Sequence, residues 1–299
     1  MNRHVIGIDI GGTNLRCGLI DAEGNILERR RCASRIEEGR EAFCRRILSE
    51  ISALQECAAQ RGLAVDAVGM GIPGLIGCDG MIHSSVNMKP LENLNLASCI
   101  RERSGMRVFS ANDANVVALG EQRFGAGRGY SSCMVITIGT GLGSGLILND
   151  KIWTGRSGFA AEFGHITVKP EGLPCPCGNR GCLEQYVSAG ALVRYVHKLT
   201  TGDATVGLDA AMVAEHALNG DKTALEAFDR LGYWLGIALA YLINTLNIEA
   251  IVIGGGVSTS FDLFHPMLRH HMRQRCFAQM YQGVTIEKAF LGDDAGLLG

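Results

Sequence analysis

Gly12-Thr13-Asn14-Leu15-Arg16-Cys17-Gly18-Leu19-Ile20 and Gly139-Thr140-Gly141-Leu142-Gly143-Ser144-Gly145-Leu146-Ile147 agree at six of nine positions, at an offset of 127 residues. Each copy follows an apolar run (residues 5–10 and 132–138) that reads as a strand, and each continues into a second strand ending at a turn. The offset is too wide for a solenoid. It predicts two related domains, each opening with a β-hairpin. Chance likeness between glycine-rich turns is the competing explanation at this stage.

Composition fits that reading. The chain has 299 residues, and roughly 150 per domain gives two domains. With 47% hydrophobic and 19% charged residues, a sizeable core is available. Glycine reaches 40 residues without a collagen period, which points to tight turns and close backbone approach to a ligand. The net charge of −2 and the lack of a basic block argue against nucleic acid as a partner. Eleven cysteines scattered through apolar segments read as reduced thiols plus a metal site, and place the protein in the cytoplasm. The N-terminus meets Asp9 before a signal-peptide core can form. Residues 231–248 are uncharged, but Asn244, Thr245 and Asn247 and the lack of basic flanks favour a buried helix over a membrane span.

Periodicity places strands at residues 5–10, 15–20, 26–30, 65–72, 107–110, 132–138 and 249–253. Helices are expected at 37–61, 96–104, 114–124, 183–199, 208–218 and 224–246. In the first of these, Phe43, Ile47, Ile51 and Leu54 share one side. The expected division is a smaller α/β domain over 1–112 and a larger one over 113–299.

Two glycine-rich turns, one per domain, could grip a polyphosphate from both sides of a cleft, and a third could lie under its nucleoside. Asp9-Ile10-Gly11-Gly12-Thr13-Asn14 lets backbone N–H groups approach phosphate, with Asp9 orienting a hydrated Mg²⁺. No Walker lysine or helix-opening dinucleotide fingerprint is present. Gly139-Thr140-Gly141-Leu142-Gly143-Ser144-Gly145 is the second turn, and Gly254-Gly255-Gly256 could pass beneath an adenine-ribose group. Asp113, within Asn112-Asp113-Ala114-Asn115, is either a helix N-cap or a general base for an attacking hydroxyl. Cys175, Cys177 and Cys182 lie within eight residues, ten after His165, as in a closed Cys₃His zinc site. Such a site would draw Glu162 and Glu184 together, a pair suited to binding a polyol.

In order, these pieces resemble the ROK family of sugar kinases and repressors, through Glu162-x-Gly-His165 and Cys175-x-Cys177-Gly-x-x-Gly-Cys182-x-Glu184. The resemblance implies an actin-like ATPase (ribonuclease H-like) fold with two related domains around a cleft. It implies Asp113 as the base, zinc on His165, Cys175, Cys177 and Cys182, and sugar contacts from Asn112, Asp113, Glu162, His165 and Glu184. Gly74 and Asn87 would complete the sugar pocket. Asn112-Asp113-Ala-Asn with Gly120-Glu121 looks most like the ATP-dependent glucokinase branch. The implied reaction is phosphorylation of an aldohexose, foremost glucose at its 6-hydroxyl, with a homodimer as the assembly.

N-acylhexosamines, fructose, mannose, allose, β-glucosides and a polyphosphate donor remain open, as does sugar binding without turnover. The repressors of the family carry an N-terminal DNA-binding module, for which a first strand at Val5 leaves no room. Two departures stand out: Asn14 replaces a common lysine, and Ala161 replaces the glycine that usually precedes the glutamate, which would alter the preferred sugar. Relatives also continue into a terminal helix beyond the stretch 292–299 where this chain stops.

Overall fold

Alternation buries Ile6, Ile8 and Ile10 on one face of β1 (His4–Ile10), and that face needs a helix to cover it. The computed structural model describes residues 3–85, 88–200 and 207–299. In it β1 pairs antiparallel with β2 (Asn14–Ile20), and β2 with β3 (Ile26–Ala33). Helix α1 (Arg40–Gln60) supplies the cover, burying Phe43, Ile47, Ile51 and Leu54. It starts three residues later than periodicity predicts, because Gly39, at φ 91°, separates it from a short 3₁₀ turn at Ile36–Glu38. β4 (Val65–Ile72) runs parallel to β1, a small hairpin forms from β5 (Leu75–Ile76) and β6 (Ile82–Ser84), and α2 (Leu96–Ser104) leads into β7 (Val108–Asn112), parallel to β4.

Helix α3 (Asp113–Phe124) connects to the second sheet, whose order repeats the first. β8 (Cys133–Ile138), β9 (Leu142–Leu148) and β10 (Lys151–Ile152) form the antiparallel half. The helices α4 (Ala189–Leu199), α5 (Ala210–Leu218) and α6 (Lys222–Leu246) follow. Then come β11 (Ala250–Gly254), α7 (Phe261–Arg273), α8 (Ala278–Gly283), β12 (Thr285–Lys288) and α9 (Ala295–Leu298). The two orders, β3-β2-β1-β4-β7 and β10-β9-β8-β11-β12, are the same arrangement built twice, three antiparallel strands followed by two parallel ones. This is the actin-like ATPase fold that the family resemblance implies, and the repeated hairpin opens each of its two sheets.

The duplication is not perfect at the turns. Ile10 pairs with Leu15 across four intervening residues, whereas Ile138 pairs with Leu142 across three. Gly11 is the extra residue: its N–H donates to Asn14 O at 2.9 Å, and Gly139 N–H donates to Gly141 O at 2.9 Å.

One expected helix is broken. Residues 183–199 form a 3₁₀ turn at Leu183–Gln185, and α4 starts only after Ser188, whose hydroxyl accepts from Ala191 N at 3.2 Å. Ser188 is extended, and its cap fixes a new helix start. The uncharged run 231–248 lies mostly in α6, against α7: Cβ atoms at Gly232 and Gly236 would come within 2.5 Å of the Phe264 and Leu268 carbonyls. Among the described residues, no helix is long and apolar enough to cross a membrane.

Candidate active site

The capping duty expected of Asp113 falls to its neighbour. Asn112 Oδ1 accepts from Asn115 N at 3.1 Å, and Asn112 Nδ2 donates to Gly74 O at 3.0 Å. Asn112 therefore braces Gly74, and both ends of its amide have protein partners. Gly74 is at φ 122°, where a Cβ would lie 2.3 Å from Ser84 O, so the bend requires glycine. Asp113, relieved of capping, occupies the first position of α3 with Oδ1 accepting from Ala114 N at 2.8 Å. Burial holds its carboxyl above the ordinary aspartate value, and the Asp9 carboxylate adds to the effect. Asn87 lies outside the described residues.

Glu162, His165 and Glu184 are brought together by the loop after β10. Ser144 donates to Ala161 O and accepts from Phe163 N at 3.3 Å. This pins Glu162 at the start of a 3₁₀ turn, Phe163–His165. Ala161 sits at φ 67°, a left-handed conformation that costs a non-glycine residue about 1–2 kcal/mol. That is the physical reason a glycine suits this position. Burial raises the pKa of Glu162; His165 opposes the shift, and Asp113 and Glu184 add to it. Three carboxylates thus share one electrostatic neighbourhood. Glu184 has a further role that its spacing did not reveal: its Oε2 accepts from Leu142 N at 2.9 Å, and a Cβ on Gly141 would lie 2.5 Å from it. It buttresses the second glycine turn.

The cysteine loop fits a tetrahedral metal. The ligand atoms of His165, Cys175, Cys177 and Cys182 all lie within 4.8 Å of one another. Cys177 and Cys182 Sγ are 3.7 Å apart, and Cys175 Sγ is 3.7 Å from His165 Nδ1. A zinc ion with ~2.3 Å bonds to sulfur requires tetrahedral sulfurs about 3.8 Å apart. His165 offers Nδ1 to this cluster while its Nε2 lies 4.0 Å from Glu162 Oε2, so one ring joins the metal loop to the carboxylates. Gln185, not anticipated from spacing, donates from Nε2 to Cys175 Sγ at 3.7 Å.

The glycine turns divide by role. Among the described residues, no atom beyond the adjoining residues lies within 4 Å of a Cβ built on Gly139 or Gly256, so both backbones are open to a ligand. Gly255, at φ 82°, crosses the end of β8, where a Cβ would meet Ile138 N and O at 2.6 and 2.5 Å; Gly254 packs towards Ala289. The second and third turns therefore adjoin, with Thr140 between Gly139 and Gly141. Further along the second turn, a Cβ on Gly143 would lie 3.0 Å from Ala114 Cβ, and one on Gly145 2.5 Å from Ala118 Cβ. These two glycines admit α3 against β9. On the first turn, Ser34 holds the loop by donating its hydroxyl to Gly12 O and its N–H to Thr13 O. Asn14 begins β2 opposite Ala33. Asp9 is less free than expected for a metal-orienting group. Arg16 lies 3.6 Å away, and a Cβ on Gly296 would be 2.9 Å from its Cγ. Burial still raises its pKa, with Arg16 opposing.

The profile of the ROK family matches residues 5–299. The chain belongs to the ROK family. A glucokinase from Thermotoga maritima is 35% identical over 99% of this chain and 95% of its own. The xylose repressor of Bacillus subtilis is 32% identical over 98% of this chain but 75% of its own length. A ROK family glucokinase from Streptomyces griseus, solved in complex with glucose and AMPPNP, superposes with a TM-score of 0.82 at 35% identity, covering 99% of this chain and 97% of that one. This ROK protein thus shares its full length with glucokinases and only part of the repressors' length.

Proposed function

We propose that this ROK protein is an ATP-dependent hexokinase of the glucokinase type, transferring the γ-phosphoryl group to the 6-hydroxyl of glucose. The observation that carries the reading is Asp113, freed from capping by Asn112 and held in the electrostatic neighbourhood of Glu162 and Glu184. Full-length likeness to glucokinases supports the same substrate class. Residues 1–112 and 113–299 would act as the two lobes that close on the substrates.

In the proposed reaction the sugar oxygen forms a bond to the γ-phosphorus as the bond from that phosphorus to the β,γ-bridging oxygen breaks. Asp113 takes the hydroxyl proton, for which its carboxyl must be ionised. Glu162, Glu184 and the Nε2 side of His165 would hold the remaining hydroxyls by hydrogen bonds. The open backbones at Gly139 and Gly256, with the Gly11–Gly12 turn opposite, would receive the triphosphate. Positioning and charge neutralisation supply most of the rate in such transfers. Mg²⁺, when bound, would neutralise phosphate charge, with Asp9 the nearest candidate to orient it. Zinc on the Cys₃His set would fix His165 and the segment carrying Glu184, a structural role. A cytoplasmic homodimer belongs to the same proposal; the eleven free thiols suit a reducing compartment.

The test is sugar-dependent ADP release across a panel of hexoses. Glucose should give the highest kcat/KM, and Asp113→Ala should lose at least about a hundredfold in turnover while still binding glucose. Wild-type turnover in that variant would sink the assignment of the base, and preference for another hexose would redirect the substrate.

A further inference from the structure

A cavity of about 330 Å³ lies between the metal loop and α4, and none of the sugar, phosphate or metal candidates lines it. Its wall carries Lys169, Arg180, Arg194 and Lys198 against a single carboxylate, Glu171. Among the described residues, none of the four cations has an ion-pair partner within 4 Å. Unpaired charge of one sign around a concavity raises the local concentration of the opposite ion. Two guanidinium forks and two ammonium points suit a group with several acceptor oxygens and about two negative charges.

The rest of the wall is less polar. Leu173, Pro174 and the rings of Tyr186 and Tyr195 also line the cavity. The tyrosine hydroxyls are committed elsewhere: Tyr186 accepts from Leu173 N at 2.8 Å, and Tyr195 donates to Tyr186 O at 2.9 Å. Both rings are nearly buried and fix the wall, which leaves Leu173 and the exposed Pro174 for a short carbon skeleton. The volume suits a small metabolite.

We propose that this cavity binds a small organic phosphate, at a site separate from the phosphoryl-transfer cleft. Gln185 bridges the two sites. Arg194 donates to Gln185 O, Gln185 donates to Cys175 Sγ, and Gln185 follows Glu184 directly. A ligand gripping Arg180 and Arg194 therefore bears on the loop that carries the sugar residues.

Calorimetric titration of sn-glycerol 3-phosphate into the full-length, zinc-loaded protein tests this, with the cleft filled by saturating glucose and a non-hydrolysable ATP analogue. One site per chain is expected, with glycerol itself giving no heat. Arg180→Ala and Lys198→Glu should each weaken binding at least tenfold. Lys198 lies on α4, outside the metal loop, so that variant remains informative if Arg180→Ala loosens the loop. The absence of binding, or unchanged affinity in Lys198→Glu, overturns the site. Inorganic phosphate binding as tightly as glycerol phosphate overturns the organic specificity. Turnover is not measured, so failure of the kinase reading and failure of this one remain distinguishable.

Discussion

Asp113 combines two features that pull against each other in the folded state. Its carboxyl must be ionised to accept a proton, yet burial and the Asp9 carboxylate favour the neutral acid. A raised folded pKa contributes stability below the ordinary value of 3.8 and loses it as pH rises through the raised one. At neutral pH the ionised side chain is therefore a net cost. Asp113→Asn should raise the thermal midpoint at pH 7 by removing that cost, while cutting turnover about 10²–10⁴-fold. Melts repeated at falling pH should show the gain disappear as the wild-type acid protonates. The residue type and place of Asp113 were readable in the sequence. That Asn112 would take the cap was not, because both residues are good caps and only the tether to Gly74 decides between them.

At the scale of elements, local signals served best where a cap or a glycine fixed the boundary. β4 and α2 fall where periodicity put them, the latter closed by Asn95 and Gly105. The helix expected at 183–199 failed because its pattern of buried residues runs across a 3₁₀ turn that also carries Glu184. Glu121 shows a different limit. It is fully buried in α3, accepting from Ala126 N at 2.9 Å, Phe290 N at 3.2 Å and Leu291 N at 2.9 Å. Nothing near it in sequence distinguishes it from a surface glutamate, since two of its three donors lie some 170 residues away. Glu121→Ala would strand three backbone donors and should destabilise the protein by about 3 kcal/mol. A lower urea midpoint with an unchanged slope would verify it.

For the whole molecule, the repeated hairpin disclosed the duplicated sheets, and the cysteine spacing anticipated a loop in which the ligand atoms of His165, Cys175, Cys177 and Cys182 lie within 4.8 Å of one another. What the sequence withheld was the return of the chain's last elements to its first. A Cβ on Gly7 would lie 2.3 Å from Leu297 O, and one on Gly18 3.5 Å from Leu297 Cδ1, so α9 seals β1 and β2. Leu297 is only 6% exposed, and Leu297→Ala should cost about 2–4 kcal/mol in chemical denaturation. Such long-range closure has no local signature; it depends on where the second sheet leaves the chain.

The same closure imposes an order on synthesis. The first sheet is encoded by residues 4–112 and α1 covers one of its faces within that span, yet the helix over Gly7 and Gly18 is at 295–298. At roughly 5–20 residues per second, the ribosome takes about 10–40 s to span that interval. Throughout it, Gly7, Gly18 and the carboxylate of Asp9 stand without their covering helix. The nascent N-terminal lobe therefore has one face packed by α1 and the other open around Gly7 and Gly18, and chaperone occupancy on stalled chains should fall only once α9 has emerged.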